Sequence, residues 1–182
     1  MALENTTQYA NRYGMDLKFY KYGTNIQDDT TPDLVIDYAN EVKVELSGGN
    51  TWATGGKKHA NKIAFSDPVE GTLTITTQLM TTAMLAVIAG KDVTKLTGSE
   101  ITFNNNDETR FYTITGDTMW KDIDSNTLPE NIKVWKASPQ KAYNITYNGS
   151  GDPTSMDIIF DLAEDDDGNV FTTKKVDATE GT

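Results

Sequence analysis

The chain has 182 residues, with 16 lysines and arginines against 27 acids, one histidine, no cysteine and 37% hydrophobic residues, for a formal charge of −11. That length fits one domain, able to bury about 70% of its unfolded surface and so to fold without covalent staples. The absence of cysteine excludes disulfides, thiolate metal sites and a cysteine nucleophile, lone His59 cannot build a multi-histidine cage, and so acidic a chain lacks the basic surface that displaces counterions from nucleic acid.

The first residues, Met1 to Thr7, carry neither a basic n-region nor an apolar h-region, so no secretory signal is expected there. Residues 1–15 read as an extended polar arm. Strand patterning follows: Leu17, Phe19 and Lys21 alternate with Lys18, Tyr20 and Tyr22, then come Leu34, Ile36 and Tyr38, then Val42, Val44 and Leu46 alternating with Lys43 and Glu45. Period two is what a strand with one face on a core requires. Over residues 47–62 the pattern stops. Two glycine pairs, Gly48-Gly49 and Gly55-Gly56, flank the lone aromatic Trp52, and Lys57, Lys58, His59 and Lys62 follow, so this stretch is expected to be a long mobile loop. Alternation resumes at Ile63-Ala64-Phe65, breaks at Asp67-Pro68 and returns with Leu73 and Ile75 among threonines.

Helical spacing occurs once, where Met80, Met84, Val87 and Ile88 fall at i, i+4, i+7 and i+8 before Gly90, which predicts a helix over about residues 79–89. Met80 to Gly90, the most apolar stretch, is shorter than the roughly 20 residues of a membrane-spanning helix. Further strands are expected at Ile101 and Phe103, Phe111 to Thr115, Ile132 to Trp135, Tyr143 to Tyr147, and Met156 to Leu162, with Asn148 to Pro153 as a hairpin turn joining the last two. An acidic segment, 164–182, closes the chain. Residues 151–182 hold nine acids and two lysines, a balance of −7 out of −11. These elements form one domain over 1–182, mainly β, an antiparallel sandwich or barrel with one flanking helix, a long loop and extended termini.

Chemical motifs fail on inspection. Around Gly56-Lys57 a phosphate loop would need glycine at Thr51 and Ser or Thr at Lys58. Around Gly168 a calcium hand would need carboxylates at Ala163 and Lys174; a solvated acidic turn is the default there and a weaker surface calcium site the alternative. One histidine permits no Ser-His-Asp constellation, and Asp122 with Asp124 is the kind of spacing that 27 acids produce by chance. Trp52, Trp120 and Trp135 could stack on sugars or serve as core and interface anchors. No enzyme activity, cofactor or metal is expected.

The order of parts resembles the tail tube (major tail) proteins of long-tailed bacteriophages. The residues that carry this are the polar arm, the paired strands and long loop, Val69-Glu70-Gly71-Thr72-Leu73-Thr74-Ile75 running into Leu79 to Gly90, and the close from Met156 through Asp165-Asp166-Asp167-Gly168-Asn169-Val170. The resemblance implies a tail-tube fold and homohexameric rings stacking into a conduit for DNA. It also implies a place in the virion after assembly in the bacterial cytoplasm, with the tape measure, tail terminator and distal tail proteins as neighbours and no membrane partner. Trp52, Lys57, Lys58 and Lys62 would then meet the next ring, facing acids such as Asp165, Asp166 and Asp167. Six copies carry −66 formal charges, so apolar burial and strand pairing must offset repulsion, while DNA slides past an acidic wall without sticking. The alternatives are a monomeric β-sandwich module binding carbohydrate or protein, and a tail completion or decoration subunit.

Overall fold

Period-two patterning becomes paired strands almost everywhere it occurs. The computed structural model describes residues 9–11, 14–27, 30–55, 60–104, 108–122, 126–141 and 155–175. The strands are β1 (Tyr9–Asn11), β2 (Asp16–Lys21), β3 (Leu34–Ile36), β4 (Glu41–Ser47), β5 (Asn50–Gly55), β6 (Ala60–Ser66) and β7 (Glu70–Thr77), then, beyond a helix α1 (Thr82–Ile88) and a single 3-10 turn at Val93–Lys95, β8 (Tyr112–Asp122), β9 (Thr127–Pro139), β10 (Met156–Ala163) and β11 (Phe171–Lys175).

All ladders are antiparallel. The main sheet runs β3-β2-β8-β9-β10-β7-β4. β8 and β9 are long enough to hold two partners each on one edge: β8 pairs with β2 through Tyr112 to Asp117 and with β1 through Trp120 to Asp122, while β9 pairs with β11 through Glu130 to Val134 and with β10 through Lys136 to Pro139. Between those two stretches β9 carries a bulge. Ile114 faces Val134 but Tyr112 faces Ala137, so two steps on β8 oppose three on β9. The extra residue shifts the buried positions of β9 from 128, 130, 132 and 134 to 137 and 139, as a bulge in a period-two strand must.

The sheet curls onto itself. Phe19 on β2 and Phe160 on β10 are separated by β8 and β9, on the order of 14 Å across a flat sheet, yet their ring centroids lie 5.4 Å apart, with Tyr112 meeting Phe19 edge-on at 6.5 Å. One core cluster joins Leu17, Leu34 and Ile36 at one end of the path to Leu73 and Ile75 near the other. The result is a β-sandwich-like fold with a single flanking helix. Burial pushes the Tyr112 phenol up to about 12.

Core closure depends on one missing side chain. Gly116 sits in register between Leu17 and Ile132, where an added methyl would come within 2.9 Å of Leu17, Ile132 and Met15 side chains. Gly116→Val is therefore expected to destabilise the fold by about 1–3 kcal/mol through overpacking, measured by denaturant unfolding; unchanged stability would mean that the two layers are less tightly apposed than this.

Helix α1 is shorter than its apolar spacing predicts because Thr81 accepts a hydrogen bond from the Met84 amide and fixes the start there. At its end the Gly90 amide donates to Val87 and the Lys91 amide to Ala86, with Gly90 at φ 75°, a left-handed cap that glycine adopts at little cost. Met84, Val87 and Ile88 enter the core.

Four expectations are corrected. The stretch 47–62 is not an irregular loop: β5 and β6 make it an antiparallel ribbon, paired from Asn50–Ser66 to Gly55–Ala60. Ile101 and Phe103 form no strand, and Phe103 is 40% exposed. The polar stretch at Lys174 is part of strand β11, and β1 lies within the supposed polar arm. The expected strand Tyr143 to Tyr147 and the turn Asn148 to Pro153 lie outside the described residues.

Candidate functional site

The ribbon is the least self-sufficient part of the molecule. It prolongs the β4–β7 ladder, whose last pair is Ser47 with Glu70, through Gly48-Gly49 on one side and Asp67-Pro68-Val69 on the other. The Asp67 amide donates to the Gly49 carbonyl at 3.0 Å, and Thr51 donates to Asp67 Oδ1 at 2.9 Å. Beyond this joint β5 and β6 pair only with each other. A lone two-stranded ribbon is marginal in water and needs a surface to cover it. This one displays large apolar groups instead: Trp52 is 47% and Phe65 57% exposed. Trp52 lies across from Ala64 and Phe65 across from Thr51, so each face of the ribbon bears one aromatic. Leu46 and Val69 are exposed at its base. Gly71 permits the close strand approach there, since a methyl on it would lie 2.5 Å from the Glu45 carbonyl oxygen and 2.6 Å from Leu46 Cδ2.

The three tryptophans now separate. Trp120 donates its Nε1 to Glu130 and has the Lys175 ammonium 4.8 Å from its ring centroid. Trp135 donates Nε1 to Thr172 at 2.8 Å and lies under Lys133 at 3.5 Å. Both have their polar edge satisfied and a cation over the ring, which makes them anchors of the β8–β9–β11 face. Only Trp52 presents an open aromatic surface.

Asp165 is used inside its own turn. Its Oδ1 accepts from the amides of Asp167 at 3.0 Å and Asn169 at 2.7 Å. Burial alone would raise its carboxyl, but Asn169, the Asp167 amide and the charge of Lys133 outweigh that and hold it below the ordinary range. Asp166 and Asp167 remain exposed, beside a shallow cleft lined by Tyr22, Lys133 and Trp135. Of the expected contact residues, Trp52 is on the ribbon, Lys62 lies in β6, Lys57 and Lys58 fall outside the described residues, and the aspartates occupy the β10–β11 turn. Within the chain the fold does not bring ribbon and turn together.

A groove of about 580 Å³ opens where the β4 end of the curled sheet faces the far half of β8, β9 and β11. Met15, Val42, Val44, Ile132 and Phe171 give it an apolar lining, and Glu130 lies in it, 8% exposed, accepting from Trp120 and, at 2.5 Å, from Thr173. Sequence reasoning missed both Phe65 and Glu130. Phe65 was visible as an apolar residue beside the glycine stretch, whereas a glutamate at a core position gives no local signal. Among the described residues no three acidic or histidine side chains converge as a metal cage would, and no helix is long and apolar enough to cross a membrane. The described chain is thus an antiparallel β-sandwich-like protein with a projecting aromatic ribbon. No family model and no curated protein matches it.

Proposed function

We propose that the chain is a self-assembling structural subunit and that the assembly is a phage tail tube, hexameric rings stacked into a conduit through which DNA passes. The observation that carries this reading is the ribbon β5–β6, a two-stranded element with Trp52 and Phe65 exposed and no layer of its own to pack against. Uncovered apolar area of this kind marks a protein interface. The curled sheet also ends in unpaired strands, β4 and β3, and such edges pair readily with another chain. The face of β4, β7 and β10 that points away from the core carries Glu41, Glu45, Thr72, Thr74, Asp157 and Asp161, polar and acidic as the wall of a DNA conduit should be. A sugar-binding module is less well supported, because two of its three candidate stacking rings lie under lysines.

Size-exclusion chromatography with light scattering, followed by negative-stain electron microscopy, tests the reading. Stacked tubes are the expected outcome, and a monomer at every concentration overturns it. Since each copy carries −11, repulsion between like-charged copies opposes assembly. Raising salt from about 0.1 M to 1 M shortens the screening length from about 10 Å to 3 Å and is expected to increase the assembled fraction. A fall in that fraction would show that attraction between exposed charges dominates instead.

A further inference from the structure

The ribbon leaves the body at the Ser47 end of β4, while the apolar groove opens at the other end of the same strand, around Asn40, Glu41 and Val42. Ten residues of extended chain separate Val42 from Trp52, about 33 Å at 3.3 Å per residue. Because the ribbon continues the β4–β7 ladder outward, it cannot fill the groove of its own chain. We propose that the ribbon of one copy seats in the groove of a second copy, with Trp52 as the anchor; the inference rests on the self-assembly reading above and names the surface that receives the ribbon.

The two surfaces fit in chemistry. Trp52 needs apolar walls and an acceptor for its indole N–H; the groove offers Met15, Val42, Val44, Ile132 and Phe171, with the Asn40 side chain and the Glu41 carboxylate in its lining. Its volume lies within the roughly 300–1,000 Å³ of pockets that bury a drug-sized ligand. Charge agrees as well. Lys57, Lys58, His59 and Lys62, a basic cluster in a chain of net −11, belong to the ribbon segment, and the groove lining holds Glu41 and Glu130 with no lysine or arginine among its described residues. Such pairs, partly buried on docking, are screened by salt far less than the repulsion between whole subunits.

The contact is heterologous, because ribbon and groove are different surfaces at opposite ends of one strand. Each copy that receives a ribbon therefore offers its own. A head-to-tail contact of this kind propagates into a ring or an open stack. A self-complementary dimer would stop at two.

The absence of cysteine from the chain makes the test direct. Two full-length variants are mixed under a mild oxidant, Ala64→Cys beside Trp52 on the ribbon and Asn40→Cys at the groove, and mixed disulfide formation is followed on non-reducing gels. The comparison pair replaces Asn40→Cys by Lys43→Cys, on the opposite face of β4. All three positions are exposed, and Ala39→Cys, also in the groove lining, serves if Asn40→Cys does not fold. The groove pair is expected to cross-link about tenfold faster than the comparison pair, as docking raises the local thiol concentration toward millimolar, and Trp52→Ala in the ribbon partner should remove that advantage. Equal rates in samples that light scattering shows to be assembled would overturn the docking and leave self-assembly standing, as would an advantage that survives Trp52→Ala. Samples that remain monomeric overturn both readings.

Discussion

Deleting residues 50–66 and joining Gly49 to Asp67 is expected to yield a folded chain that no longer assembles. The junction is favourable, because the Gly49 carbonyl already accepts the Asp67 amide at 3.0 Å, and residues 48, 49, 67, 68 and 69 would form a five-residue loop between Ser47 and Glu70, a common hairpin length. Nothing in the core leaves with the ribbon, since the cluster of buried side chains draws on β2, β3, β7, β8, β9, β10 and α1. Shortening the connection also lowers its closure entropy slightly. Far-UV circular dichroism and thermal unfolding should match the parent, while light scattering should find monomer under conditions in which the parent assembles. Assembly that persists would remove the ribbon from the interface; loss of the fold would mean that β4 and β7 depend on the ribbon for their pairing.

The largest effect on stability is expected at Phe19. Its ring is fully buried and touches Phe160 and Tyr112, so it packs the two ends of the curled sheet against each other. Phe19→Ala removes that packing and leaves a cavity that neighbouring strands cannot fill without breaking register, which costs about 3–5 kcal/mol. For a domain of this size that corresponds to roughly 10 °C of melting temperature. Met119→Ala is the control: Met119 is 48% exposed on β8, and its loss should change stability by no more than about 0.5 kcal/mol. A small effect at Phe19 would mean that the sheet is held curled mainly by its ladders.

Elements whose alternation is uninterrupted were legible from residues alone. β2, β4, β7 and β10 show apolar residues at every second position, and α1 declares itself by spacing and by Gly90. β9 was legible only around Ile132 to Trp135. Its inward row reads Leu128, Glu130, Ile132 and Val134, with a glutamate where a core residue belongs, and the bulge near Trp135 then reverses the parity. Both features depend on partners in other strands: Glu130 is satisfied by Trp120 and Thr173. The ribbon hid for a related reason. Glycine pairs at Gly48-Gly49 and Gly55-Gly56 read as flexible chain, but the first sits at the joint with the β4–β7 ladder and Gly55 closes the register with Ala60, and strand preference reflects cross-strand packing more than local identity. Of the candidate site, Trp52 was legible and its receiving groove was not, because the groove is assembled from β4, β9, β11 and the approach to β2.

The long strand β9 is shared by three ladders, to β8, β10 and β11. No amide in its middle can exchange with solvent deuterium unless several pairings open together, whereas those of β5 and β6 are guarded by a single partner strand. Local openings range from nearly free at such margins to the full unfolding free energy at the centre. The expected exchange order is therefore ribbon first and β9 last, by orders of magnitude, with assembly slowing the ribbon selectively. The same strand that keeps the body rigid lets one appendage order and disorder without disturbing it.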